Sequence, residues 1–260
     1  MNNNSFIHPD AKIGKDVEIG PFCYISANVE IGDGCKIGPN VVIYDYVKLG
    51  RNCSVFSGAV LGGIPQDLKF QGEVSRVEVG DNTVIREFVT IHRGTAASGK
   101  YLTKVGSDCL LMAYVHIAHD CEVGNNCILA SYTGLAGEVV LDDYATLGGG
   151  VLVHQFCHIG SYTMLGGGNT VTKDVPPYAL ASRNPVVFEG LNIVGLRRRG
   201  FSNEVIEEMR EMYRLIYRGG MTVQEACSEI RSAFPQSSHR DMILNFVENS
   251  GRGIIKCPVK

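Results

Sequence analysis

An all-β parallel β-helix of hexapeptide repeats, followed by a small C-terminal α-helical domain, is the fold class the sequence predicts. Three observations predict it. An aliphatic residue recurs at every sixth position between Ile7 and Val171, with two interruptions; glycine directly follows many of these positions; and helical signals take over after about Leu191.

The sixfold recurrence is the primary signal. From Ile7 in steps of six to Leu61, every position is Ile, Leu or Val. The phase resumes at Val79, Ile85 and Ile91, slips by two residues, and runs unbroken from Val105 to Val171. A helix demands spacings of three and four, and a half-buried strand a spacing of two. A period of six fits a coil of three short strands joined by tight turns, so residues eighteen apart stack about one strand spacing, ~4.8 Å, from each other. Each anchor then points into a prism, and stacking makes its core continuous because one coil cannot bury an apolar face alone. Glycines such as Gly14, Gly32 and Gly124 are expected to supply φ > 0 at the turns and to let coils approach.

The two interruptions, residues 62–78 and 92–104, are expected to project as loops from corners of the prism. PPYALASRNPVVFEG reads as a connector. Beyond it, Ser202 caps NEVIEEMREMYRLIY, Thr222 and Glu225 form a capping box opening a helix to about Ala233, and Ser238 caps DMILNFVENSG, closing near Gly251. The domain assignment is residues 1–190 for the catalytic β-helix and 191–260 for the helical domain.

Seven of the nine cysteines, Cys23, Cys35, Cys53, Cys109, Cys121, Cys127 and Cys157, lie two residues before an anchor. That slot holds Ala, Val or Thr elsewhere, so these are core cysteines rather than a zinc site or a disulfide framework. A net charge of −3 with 20% charged residues argues against nucleic-acid and membrane-surface partners. MNNNSFIHPD lacks the pattern of a signal peptide and no apolar run is long enough to span a bilayer, so a cytoplasmic location without integral membrane association is expected.

The stretch LLMAYVHIAHDCEVG carries the candidate chemistry. His119 lies two residues past anchor Ile117 and so points outward, with His116 just before the same anchor. Counting eighteen onward places Gly137 above His119, Glu138 above Asp120 and Gly134 above His116; counting eighteen back from His116 reaches Ser98, across the irregular loop. A neutral histidine is available as a general base near pH 7. Asp120 is suited to fix its tautomer, and the Gly137 amide to meet a developing oxyanion. The competing readings are solvent-facing histidines on a structural prism and a metal site. His154 and His158 stand about two coils away, no tetrahedral set assembles, and no metal is expected.

The strings QDLKFQGE, TIHRGT, LTKVGSD, HIAHDCEVGN, VHQFC, DVPPYA and GLRRRGF resemble, at their separations along the whole chain, the acyl-(acyl carrier protein):UDP-N-acetylglucosamine O-acyltransferases, the LpxA family of hexapeptide acyltransferases. That resemblance implies a left-handed β-helix, a homotrimer with active sites between subunits, and transfer of a 3-hydroxyacyl chain from acyl carrier protein to the sugar 3-hydroxyl, the first step of lipid A biosynthesis. No resident cofactor is implied; the acyl donor is a phosphopantetheine thioester on the carrier.

By the same resemblance His119 matches the catalytic base, Asp120 its orienting partner and Gly137 the amide facing the thioester oxygen. His116 looks like the histidine beside the nucleotide sugar; Gln66, Asp67 and Lys69 match residues at the sugar and acyl group; His154 and Gln155 match a nucleotide-side pair. Asn192, Arg198 and Arg199 look like diphosphate and carrier contacts, with Arg197–Arg199 as a docking patch for an acidic carrier. Gly167 matches the hydrocarbon ruler, where glycine leaves the acyl groove long. Two positions depart from the family pattern: Glu138 stands where histidine is usual and Val194 where glutamate is. The other readings kept in view are the paralogous N-acyltransferase, whose additional N-terminal domain has no room before Ile7, and a non-catalytic solenoid.

Overall fold

A computed structural model of the chain describes residues 4–218 and 220–258; residues 1–3, Gly219 and residues 259–260, all inside the two assigned domains, lie outside the described residues. Among the described residues, mostly two-residue strands recur as the hexads require and stack in parallel into three faces of a prism of nine, eight and eight strands, the last extended to a ten-stranded sheet by a terminal hairpin. Face A runs from Phe6–Ile7 to Thr170–Val171, face B from Lys12–Ile13 to His158–Ile159, and face C from Glu18–Ile19 to Met164–Leu165. The core is the anchors themselves: Ile25, Ile43, Leu61, Ile91, Ile117 and Leu135 are fully buried on face A. Ile7 and Ile13, expected to point into the core, are 38% and 37% exposed because their coil stacks on only one described neighbour.

The two interruptions obey simple arithmetic. Val42 pairs Val60 and His116 pairs Gly134, steps of eighteen. Val60 pairs Thr90, a step of thirty, and Thr90 pairs His116, a step of twenty-six. The first insertion is therefore twelve residues, two whole hexads, and preserves the phase. The second is eight, which is why the phase slips by two. Strands extend into both predicted loops, through Gly63 and His92 before them and from Arg76 and Leu102 after them, so the projecting segments are 64–75 and 93–101.

Positive φ is not where the sequence reading put it. The glycines directly after anchors are there for close approach: a Cβ on Gly32 would lie 2.5 Å from the Gly50 carbonyl oxygen. The left-handed residue is instead the third after most anchors, filled mainly by Asn, Asp or an aromatic, as in Asn40, Asn52, Asp108, Tyr114 and Asp120, and by glycine at Gly34, Gly58, Gly150 and Gly168. Asn and Asp tolerate this conformation best among non-glycines. The aromatic corners stack from coil to coil, with Tyr114 and Tyr132 5.0 Å apart and 2° from parallel.

The seven cysteines are buried and unpaired. The thiols make a contact in this slot that spacing did not reveal. Cys35 and Cys121 donate to the carbonyls of Gly50 (3.0 Å) and Ala136 (3.1 Å), and Thr83 in the same slot donates to Gly106 (2.8 Å). At these positions the Cys or Thr side chain donates to a carbonyl of the next coil; Ala and Val fill the slot elsewhere without a donor. Burial pushes the Cys121 thiol up to about 12, which keeps it protonated and unreactive.

The segment read as a connector forms an antiparallel hairpin, Ala179–Ser182 with Val187–Leu191, added to the end of face C. Helices α1 (Ile193–Arg198), α2 (Asn203–Arg218), α3 (Val223–Ala233) and α4 (Ser238–Glu248) follow. The Thr222–Glu225 capping box is present, but α4 is capped by Ser237, one residue before the expected Ser238. The helices dock on the solenoid's C-terminal end: the Tyr213 hydroxyl donates to the Pro177 carbonyl (2.6 Å), and Asp174 accepts from the His158 amide (2.8 Å) and the Ser250 hydroxyl (2.6 Å). Among the described residues no helix is long and apolar enough to cross a membrane.

Candidate active site

The corner between faces A and B gathers most of the candidate residues, because both insertions leave face A and return to face B. Gln66, Asp67 and Lys69 lie on the first projecting loop; His119, Asp120, Gly137, His154 and Gln155 lie on successive turns of this same corner, and His116 on the adjoining strand. Asn192, Arg198 and Arg199 belong to α1 and its cap, which packs at the corner between faces B and C: Asn192 donates to the Tyr162 carbonyl (2.9 Å) and the Arg199 guanidinium lies 5.2 Å from the Tyr144 ring centre. Gly167 lies at the third corner, between faces C and A. One chain therefore distributes the predicted site over three corners.

At the A–B corner the geometry is tight. His119 Nδ1 lies 2.8 Å from Asp120 Oδ2. A carboxylate only accepts, so the proton sits on Nδ1 and Nε2 is left as the basic nitrogen. Asp120 is 0% exposed. It is covered by the second loop, whose Thr95 amide and hydroxyl reach it at 2.8 and 2.7 Å and whose Ser98 hydroxyl reaches it at 2.6 Å. Ser98 thus meets Asp120, and the residue stacked below His116 is Thr90, whose hydroxyl lies 2.7 Å from His116 Nδ1. Burial lowers the pKa of His116.

The His119 ring rests on Gly137, as the eighteen-residue step predicts. A Cβ added to Gly137 would stand 2.5 Å from His119 Cε1 and 2.6 Å from Nε2. The neighbouring amides in this turn are engaged, Ala136 N with Val153 O and Glu138 N with His119 O, while the Gly137 amide donates to no acceptor among the described residues. A bare Cα and a spare amide therefore sit beside the basic nitrogen. Glu138, at φ 60°, is half-buried and makes no ion pair among the described residues.

His92 belongs to this cluster and escaped the sequence reading. Its ring centre lies 4.8 Å from that of His116, it is 8% exposed, and its Nδ1 is buried without a partner. Burial, reinforced by His116 and His119, lowers its pKa to about 4. The only sequence signal was its place as the third residue of the TIHRGT string, two residues from Thr90. The folded chain takes up this proton near pH 4 and the unfolded chain near ~6.5, so stability falls as pH drops through that window. His92→Gln is expected to remove about 2.5 kcal/mol of the loss between pH 7 and pH 4.5, measured by denaturant unfolding. An unchanged pH dependence would place the titration elsewhere.

The remaining candidates are placed as follows. Gln66 and Lys69 are exposed, and Asp67 accepts from the Lys69 amide (2.9 Å). The two loops are tied by Glu73, which accepts from the Ala96 amide (2.8 Å), and by Arg93 over the Phe70 ring. His154 and Gln155 are exposed one coil above Gly137. Asn192 caps α1, accepting from the Gly195 amide (3.1 Å), so both ends of its amide are engaged within the chain. All three arginines of the run are exposed and none makes an ion pair among the described residues; Arg197 bonds Asn203 and Arg199 covers Tyr144, which leaves Arg198 as the guanidinium without a side-chain partner there. Val194 is exposed on α1. Gly167 stacks on Gly149, so the triplets 148–150 and 166–168 present two coils of bare backbone. Among the described residues no group of three or more His, Cys, Asp and Glu side chains is arranged to hold a metal ion.

Comparison with known proteins adds the following. A family model described as Udp N-acetylglucosamine O-acyltransferase, Domain 2, matches residues 174–255, and one described as bacterial transferase hexapeptide (six repeats) matches residues 28–63 and 102–137. A Thiobacillus denitrificans protein named acyl-(acyl-carrier-protein)–UDP-N-acetylglucosamine O-acyltransferase is 46% identical over 98% of this chain and 99% of its own. The solved structure of LpxA, a UDP-N-acetylglucosamine acyltransferase from Bacteroides fragilis, is 50% identical with a TM-score of 0.94, covering 97% of this chain and 98% of that one. LpxA from Acinetobacter baumannii is 42% identical with a TM-score of 0.94, over 97% and 98%.

Proposed function

The chain belongs to the acyl-(acyl carrier protein):UDP-N-acetylglucosamine O-acyltransferase family, and from that membership and the A–B corner we propose that it moves a 3-hydroxyacyl chain from acyl carrier protein to the 3-hydroxyl of UDP-N-acetylglucosamine. This is the opening step of lipid A assembly. The observation that carries the mechanism is the His119 ring fixed between the Asp120 carboxylate and the bare Gly137 backbone.

In this reading Nε2 of His119 takes the proton of the sugar 3-hydroxyl as its oxygen attacks the thioester carbonyl. The charge that develops on the carbonyl oxygen is met by the spare Gly137 amide. Collapse breaks the carbon–sulfur bond, and the proton returns from His119 to the departing phosphopantetheine sulfur. Asp120 holds the tautomer and balances the imidazolium throughout. His116, Gln66, Asp67, Lys69, His154 and Gln155 line the same corner and are assigned to the sugar, nucleotide and acyl headgroup. Purified protein given UDP-N-acetylglucosamine and a panel of 3-hydroxyacyl carriers should release free carrier and form acylated sugar nucleotide; absence of product with every chain length would end this reading.

The dispersal of candidates over three corners supports a homotrimer, because only neighbouring subunits bring an α1 arginine or the glycine triplets to another chain's A–B corner. Arg198 is then the guanidinium left for the acidic carrier or the diphosphate, and the reading keeps the enzyme in the cytoplasm with its carrier and sugar-nucleotide substrates. A solution mass near that of one 28.2 kDa chain would remove the trimer.

Gly167 sets the acyl length in this reading. Its φ is outside the left-handed region and an added Cβ meets the Gly149 oxygen at 3.0 Å, so a side chain needs that backbone to give by a few tenths of an ångström. Gly167→Met should move preference to shorter chains by several carbons without loss of fold, read from product mass over the carrier panel. An unchanged length profile would unseat Gly167 as the ruler.

A further inference from the structure

We infer that Thr95 and Ser98, on the loop closing over the A–B corner, are positioning residues that aim the Asp120 carboxylate at His119. The inference rests on His119 as the base and adds the part of the chain that holds its partner.

Four groups saturate the buried carboxylate. Oδ1 accepts from the Thr95 amide (2.8 Å) and the Ser98 hydroxyl (2.6 Å); Oδ2 accepts from the Thr95 hydroxyl (2.7 Å) and from His119 Nδ1 (2.8 Å). Each hydroxyl is itself oriented by a backbone amide that donates to it, Ser98 N to Thr95 Oγ1 (3.4 Å) and Lys100 N to Ser98 Oγ (3.1 Å). An oxygen that accepts from an amide on one side is polarised to donate on the other. The Ser98 hydroxyl also lies 3.1 Å from the Thr95 carbonyl, but its single proton goes to the nearer, charged acceptor.

The loop is built to keep these hydroxyls in place. Its neck is pinched where Gly94 lies against the Tyr101–Leu102 backbone too closely for any Cβ. Its span is closed by Gly99 N to Ala96 O (3.0 Å) and Tyr101 N to Thr95 O (3.2 Å). From beneath, the Thr103 hydroxyl accepts from the Asp120 amide (2.8 Å). With three donors fixed by the loop, the one remaining direction at Oδ2 is toward the imidazole. A carboxylate free to rotate would share its time with solvent and hold the ring in more than one orientation, and displacement of a reacting group by about 1 Å costs up to ~10²-fold in rate.

The test is steady-state kinetics with UDP-N-acetylglucosamine and 3-hydroxyacyl carrier on Ser98→Ala and Thr95→Val, with Ser98→Thr and Thr95→Ser as conservative partners. Each hydroxyl deletion should lower kcat about tenfold, as loss of a hydrogen bond to a charged group does, with KM for both substrates unchanged. The conservative variants should recover most of the rate. In an Asp120→Ala background the same deletions should cost nothing more, because groups acting through one residue are not additive. Folded Ser98→Ala and Thr95→Val enzymes with wild-type kcat, beside an Asp120→Ala enzyme that has lost rate, overturn this inference alone. Equal losses with and without Asp120 also overturn it, since they report a general loosening of the loop. Full turnover in Asp120→Ala would remove Asp120 from the mechanism and this inference with it, whereas the base assignment stands or falls on His119→Ala.

Discussion

Replacing His119 with alanine should lower kcat by about 10²–10⁴-fold while leaving KM and the fold nearly unchanged. The split follows from how the site is supported. Asp120 keeps three of its four donors, the Thr95 amide and hydroxyl and the Ser98 hydroxyl, when the imidazole is removed. No buried carboxylate is abandoned, so the large penalty for an unpaired buried charge does not arise. The ring itself is not part of the core, which is made of the anchors one face inward. The rest of the corner, with its exposed Gln66, Lys69, His154 and Gln155, is undisturbed and still binds. A comparison of kcat and KM for wild type and His119→Ala, with thermal unfolding alongside, decides the matter. Wild-type turnover in the variant removes His119 from the chemistry, and a loss confined to KM makes it a binding residue instead.

The parts of the site that could be read from sequence are those where coil arithmetic holds. Between Val105 and Val171 every coil is eighteen residues, so Gly137 over His119 and Gly134 over His116 followed from counting, and the pairing of His116 with Gly134 agrees. The arithmetic failed where a coil lengthens. The twenty-six-residue coil puts Thr90, not Ser98, beneath His116, brings His92 beside it, and sends Ser98 over Asp120. These are tertiary facts set by the path of an irregular loop, and no period encodes them. The same holds at the chain's other end. PPYALASRNPVVFEG alternates too weakly to announce a hairpin, and Asn192 gave no hint that its amide caps a six-residue helix while tying it to Tyr162. The function of the glycines was half legible: close approach was right, but the left-handed position three residues past most anchors takes Asn, Asp and aromatics as well as glycines such as Gly34 and Gly150, so composition alone does not mark it.

Gly137→Ala should be nearly as damaging as loss of the histidine, at about 10²-fold in kcat. The added methyl would lie 2.5 Å from Cε1 and 2.6 Å from Nε2 of the His119 ring, roughly 1 Å inside ordinary contact. The backbone cannot yield, because Glu138 N bonds the His119 carbonyl and Ala136 N bonds Val153 on either side of the glycine. The ring must therefore swing, and its far side is held by Asp120 Oδ2 at 2.8 Å. Either the Nδ1 bond breaks or Nε2 leaves its line to the substrate, and in both cases the base is misplaced while the Gly137 amide remains. Since the φ of Gly137 is not left-handed, alanine brings no backbone strain, and any stability cost is that of local crowding, about 1–3 kcal/mol. The control is the double variant. With His119→Ala already present there is no ring to displace, so adding Gly137→Ala should cost little further rate, whereas a methyl acting by blocking substrate would cost as much as before. Full turnover in the single variant would mean that the ring does not work from the position it occupies here.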